Sequence, residues 1–129
     1  MYLVTKAVSA VVALALAATA APAAEGEHMN HLAARTTGDF TYYYTGLGAC
    51  GWTNYDGEMV AAVGHGLYDR TRPCGRWIRI HYGGRSAEVK VVDRCEACND
   101  DALDLSPTAF KQVVGDLGPG RVQGGWEFI

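Results

Sequence analysis

The sequence predicts a small, mainly β domain: a barrel of short strands with one short helix, stapled by disulfides. Three observations carry that expectation. Apolar and polar residues alternate over short segments, which suits half-buried strands. Glycine-rich turns separate those segments. One stretch alone has the chemistry of a helix start.

Taken in chain order, MYLVTKAVSAVVALALAATAAPAA comes first. It has one cation at Lys6, an apolar run through Ala18 and then small residues, so residues 1–23 read as a secretory signal peptide cleaved near Ala23. A membrane anchor would need a longer apolar run. Residues 24–37 have no apolar periodicity and no turn chemistry, so a disordered lead-in or propeptide is expected there, with His28 and His31 solvated. The domain proper is expected over residues 38–129.

Within it, GDFTYYYTG is aromatic and β-favouring, GLGACG is a turn, and EMVAAVG is a short apolar strand. RWIRIHYGG alternates up to a Gly83-Gly84 turn, and SAEVKVVD alternates again with Ala87, Val89 and Val91 on one face, so the two read as a hairpin. ALDL is a short strand. In SPTAFKQVV, Ser106 can cap the free N–H groups of a first turn and Pro107 suits the first helical position. DLGPG ends that helix, and RVQGGWEFI is a final strand.

Past residue 23 there are ten basic and fourteen acidic side chains, a net charge of −4 with no basic run. That excludes nucleic acid and anionic membranes as expected partners. The four cysteines, Cys50, Cys74, Cys95 and Cys98, belong to a chain headed for an oxidising compartment, so two disulfides are expected in any of three pairings. The Cys95-x-x-Cys98 spacing also occurs in zinc and redox sites. Here it lacks a second close pair of ligands and a helix beginning at the first cysteine, so no metal and no cofactor are expected.

The succession TYY, GACG, MVAAV, CGRWIRIHY, VKVVDRC, ALDLSPTAF and GRVQGGWEF resembles the double-psi β-barrel family. That family takes in expansins, barwin and plant natriuretic-peptide-like proteins, rare lipoprotein A and family 45 endoglucanases. The resemblance covers residues 38–129 and is nearest to the single-domain fungal loosenins. It implies a six-stranded double-psi β-barrel with a groove across one face, and the pairings Cys50–Cys74 and Cys95–Cys98.

Asp93 shares the alternation of Val89 and Val91, so its carboxylate is expected on the inward, partly buried side. Asp104 alternates with Leu103 and Leu105 and so faces away from the core. The resemblance makes Asp93 and Asp104 the aspartate pair of the groove and Thr41 their neighbour. The bland readings are an Asp93 that only accepts loop N–H groups and an Asp104 that only sits near a helix start. Glycoside hydrolysis needs two flanking carboxylates. Where family 45 enzymes place the base, this chain has Tyr42, Tyr43 and Tyr44, and Asp39 is not placed in the groove by the match. A non-hydrolytic protein is therefore expected. The resemblance to rare lipoprotein A, a lytic transglycosylase, implies instead a site that joins Glu58 and His65 to Asp104.

Sugar rings stack on aromatic side chains. Tyr42, Tyr43, Tyr44, Trp52 and Tyr55 are the candidates for that role, whereas Trp77 and Trp126, inside strands, are expected in the core. The implied function is a secreted, monomeric protein that binds cell-wall polysaccharide (cellulose, chitin or peptidoglycan) and loosens it. The alternative is a secreted inhibitor of cysteine proteases or an effector, working through loops 50–56 and 96–101.

Overall fold

The computed structural model describes residues 35–129; the expected signal peptide and all but the end of the expected lead-in lie outside them. In chain order the elements are β1 (Thr36–Tyr42), β2 (Val60–Gly64), α1 (His65–Thr71), β3 (Trp77–Tyr82), β4 (Arg85–Cys95), β5 (Leu103–Leu105), α2 (Pro107–Val114) and β6 (Val122–Phe128). The strands close into a barrel in the order β1-β5-β2-β4-β3-β6. The β1–β5 and β2–β4 joins are parallel and the other four antiparallel.

The alternation read from the sequence fills this barrel. Phe40, Ala61, Val63, Ile78, Ile80, Val89, Val91, Leu103, Leu105 and Trp126 point inward, and Ala109, Phe110 and Val113 of α2 pack on them. The β3–β4 hairpin forms as expected, with Gly83 and Gly84 at φ 56° and 82°, a region open to glycine without steric cost. Both disulfides follow the pairing that the resemblance implies, Cys50–Cys74 and Cys95–Cys98.

Two expectations change. β1 begins at Thr36, ahead of the expected start at Gly38, because Thr36 and Thr37 pair with Trp126 and Gly125 of β6. A partner strand from the far end of the chain leaves no local signal. There is also a second helix, α1, where the sequence led to the expectation of one helix alone. Gly64 at its N-terminus offers no side-chain cap, so the usual start signal is missing. Burial of Tyr68 against the barrel and a left-handed Arg72 (φ 49°), whose N–H bonds Tyr68 O, define the helix instead.

α2 starts as its sequence predicts. Ser106 is fully buried; its Oγ accepts the Ala109 N–H at 3.2 Å and donates to Glu58 O at 2.6 Å. The hydroxyl thus caps the helix and ties it to the segment entering β2. Ser106→Ala strands both partners and is expected to cost about 1–2 kcal/mol in urea unfolding; an unchanged midpoint would refute this role.

Candidate functional site

The short strand β5 lies between β1 and β2, and its outward residue is Asp104. In register, Asp104 faces Thr41 on one side and Ala62 on the other, and Ala62 in turn faces Asp93 of β4. The Thr41 hydroxyl donates to Asp104 Oδ1 at 2.8 Å. Thr41, Asp104 and Asp93 therefore form one row across the outer wall, with only the small Ala62 between the aspartates.

The placement of Asp93 corrects the alternation argument. The register shifts between Ala61 and Ala62, so Val91 pairs with Ala61 but Asp93, not Val92, pairs with Ala62. This bulge inserts one residue and reverses the parity beyond it. Val91 and Val92 are both buried, and Asp93 emerges on the outer row. There Asp93 Oδ1 accepts N–H bonds from Ala49 and Arg94, each at 2.8 Å, so it also anchors the loop that follows β1.

Tyr43 follows β1 and bonds Leu105 O through its backbone N–H. Burial, followed by the negative charges of Asp93 and Asp104, holds its hydroxyl far above the ordinary tyrosine range, so it stays a donor. The Asp104 carboxyl is also pushed up, chiefly by burial and to a lesser extent by Asp93, against the opposing effects of the Thr41 hydrogen bond and Arg121.

A cavity of about 230 Å³ opens beside Asp104, with Asp39, Thr41 and Arg121 on its polar side and Tyr42, Cys95 and Cys98 among its walls. Asp39, which the sequence match leaves outside the groove, therefore lines the same cavity. Its outward parity with Thr41, two residues along β1, was the available signal. Its Oδ2 accepts a 2.9 Å bond from Arg121. A larger hollow of about 620 Å³ over β3 and β6, beside His81 and Gly124, contains none of these residues.

Glu58 and His65 are not brought together. They lie at opposite ends of β2, and the Glu58 carboxylate accepts from Asn54 Nδ2 and the Tyr55 N–H. The His65 ring faces Cys98 O at 3.0 Å instead. In the acidic loop, Asp100 pairs with Arg70 and Glu96 with Arg94, and Asp101 O accepts from Trp126 Nε1.

Of the aromatic candidates, Tyr42 packs against Phe110 with centroids 5.1 Å apart, while Tyr44, Trp52 and Tyr55 are exposed. Trp126 is buried as expected. Trp77 is not: it is 45% exposed, because Ile78 takes the inward position of β3 and turns its neighbour outward. Among the described residues, no group of three or more His, Cys, Asp or Glu side chains is arranged to hold a metal ion.

A closed six-stranded barrel with two parallel joins and an aspartate row on its wall defines a double-psi β-barrel protein. No protein-family model matches the chain. It is 32% identical to the papain inhibitor of Streptomyces mobaraensis over 104 residues, covering 74% of this chain and 72% of that one. It is also 32% identical to the putative EG45-like domain containing protein 1 of Arabidopsis thaliana over 86 residues, covering 58% and 70%. The solved structure of a variant Clavibacter michiganensis expansin in complex with cellohexaose superposes with a TM-score of 0.67 at 25% identity, over 74% of this chain and 50% of that one. A Streptomyces papain inhibitor superposes at 0.66 and 29% identity, over 74% and 94%. The chain spans only 38% of the Asp f 7 allergen homolog of Arthroderma benhamiae, at 33% identity over 72% of its own length. The chain belongs to the EG45-like family of double-psi β-barrels.

The raised pKa of Asp104 has a definite sign in stability. Folding favours the protonated carboxyl, so this contribution is fully present below the unfolded-state pKa and is lost as pH rises through the higher folded one. Asp104→Asn, which stays neutral, is expected to gain in melting temperature relative to the native chain as pH is raised from about 3 to 7. A difference independent of pH would contradict the burial of this carboxyl.

Proposed function

We propose that this chain is a secreted, expansin-like protein that binds cell-wall polysaccharide, cellulose or chitin, and loosens it without net hydrolysis. The observation that carries the reading is the row of Thr41, Asp104 and Asp93 on an outer barrel wall, beside a polar cavity and exposed aromatics. The expansin solved with cellohexaose shares this fold. The signal-like N-terminus and paired cysteines support export.

In this reading Asp104 is the working group. Ionised, it accepts from sugar hydroxyls; protonated, which its burial favours, it donates to them. Tyr43 donates beside it. Such exchange replaces hydrogen bonds between glycan chains with bonds to protein, and no covalent step is required. Hydrolysis would need a second free carboxylate across the bond. Asp39 lines the cavity from the Thr41 side, but Arg121 holds it.

A second reading, cysteine-protease inhibition, is favoured by the segment between β1 and β2. Cys50–Cys74 clamps it, Asp56 Oδ1 accepts from the Thr45 N–H at 2.7 Å, and Leu47, Trp52 and Tyr55 stand exposed on it. A preorganised apolar loop suits a protease cleft.

Pull-down on cellulose, chitin and peptidoglycan, with released sugar measured in parallel, separates these readings. Binding without release by the native chain, and loss of wall weakening in Asp104→Asn, is the expected outcome. Released reducing sugar would overturn the non-hydrolytic reading and direct attention to Asp39. Papain inhibition without glycan binding would establish the second reading.

A further inference from the structure

We propose that the cavity beside Asp104 seats the 2-acetamido group of an N-acetylhexosamine unit, so that the glycan bound is an N-acetylated one, chitin or peptidoglycan, in preference to cellulose. This rests on the polysaccharide reading above and names its substrate class.

The cavity holds about 230 Å³, below the roughly 300 Å³ at which pockets for drug-sized ligands begin. It therefore takes one substituent of a glycan and not the chain itself. Part of its wall is apolar. Ala102 lies two residues before Asp104, shares its outward parity and is only 7% exposed. The Cys95–Cys98 disulfide and Ala97 line the cavity with it. Their methyl and sulfur surfaces offer no strong donor and no strong acceptor.

The polar groups come from two edges. Asp104 belongs to β5 and Arg121 directly precedes β6, and these strands flank β1 on opposite sides, two strand spacings or about 10 Å apart. Asp104 Oδ1 accepts from the Thr41 hydroxyl at 2.8 Å, which leaves the other carboxylate oxygen for a second donor. Arg121 reaches to Asp39 on β1, where its Nη1 donates at 2.9 Å, and a guanidinium has further N–H groups to offer a carbonyl. An acceptor and a donor thus meet at the cavity from opposite sides of one strand, with apolar surface beside them.

An acetamido group has the same three parts. A trans amide points its N–H and its C=O in opposite directions. The N–H can meet Asp104 while the carbonyl meets Arg121, and the methyl then rests on Ala97, Ala102 and the disulfide. Cellulose carries only hydroxyls. A hydroxyl set on that apolar surface gives up water without gaining a partner.

The test measures binding of chitohexaose, a soluble peptidoglycan glycan strand and cellohexaose by calorimetry, for the native chain, Arg121→Ala and Arg121→Lys, and follows the Ala97 and Ala102 methyl signals by NMR. The native chain is expected to bind at least one N-acetylated glycan about tenfold more tightly than cellohexaose, with both methyl signals shifted by it; which of the two binds names the source. Arg121→Ala is expected to lower that preference about tenfold, and Arg121→Lys, which keeps a cationic donor, to retain part of it. Equal affinity for cellohexaose, methyl signals that stay in place on binding, or a full preference in Arg121→Ala would each overturn the proposal and leave the polysaccharide reading standing. If the native chain binds none of these glycans, nor insoluble chitin, peptidoglycan or cellulose, the polysaccharide reading falls and the proposal with it.

Discussion

The narrow interior of the six-stranded barrel is the constraint on which the rest depends. Six strands enclose only enough space for their own side chains, and Phe40, Ile78, Ile80, Leu103, Leu105 and Trp126 occupy it. The interior is filled, so the polar side chains of the strands that build the site sit on the outer wall. With inward positions taken by apolar residues, period-two alternation sends Thr41, Asp104 and Lys90 outward on three different strands. The bulge in β4 adds Asp93 to the same face.

Loops around this wall are held by a few specific contacts. The segment after β1 is tied by Cys50–Cys74, by the Ala49 N–H to Asp93 and by the Cys50 N–H to Val92 O. The acidic loop after β4 is pressed against strand backbone: a Cβ at Gly38 would lie 1.8 Å from Asp101 O, and one at Gly64 2.1 Å from Asn99 O. Trp126, inside the barrel, bonds Asp101 O as well. These contacts, with the Cys95–Cys98 clip, keep the wall of the Asp104 cavity close to the carboxylate.

The electrostatics follow from this packing. Two carboxylates one small residue apart, with a tyrosine beside them, make a site rich in acceptors and poor in cations, where Arg121 pairs with Asp39. Partial burial favours the proton on Asp104 and keeps it on Tyr43. Such a surface is suited to exchanging hydrogen bonds with neutral hydroxyls, which is what a polysaccharide offers along its length.

Much of this architecture was already legible as local pattern. Alternation around Val89 and Val91 marked β4, Gly83-Gly84 marked the hairpin, Ser106-Pro107 marked α2, and LDL placed Asp104 opposite the core, because side-chain parity and turn chemistry are properties of adjacent residues. The exceptions all concern long-range pairing. The start of β1 at Thr36 depends on β6, α1 depends on burial of Tyr68, the exposure of Trp77 depends on which β3 parity faces inward, and the place of Asp39 depends on Arg121 from the far end of the chain. Asp93 illustrates the division best. Its alternation with Val89 and Val91 pointed inward, and only the one-residue shift against Ala62, a fact of strand pairing with no local signature, turned it out to meet Asp104.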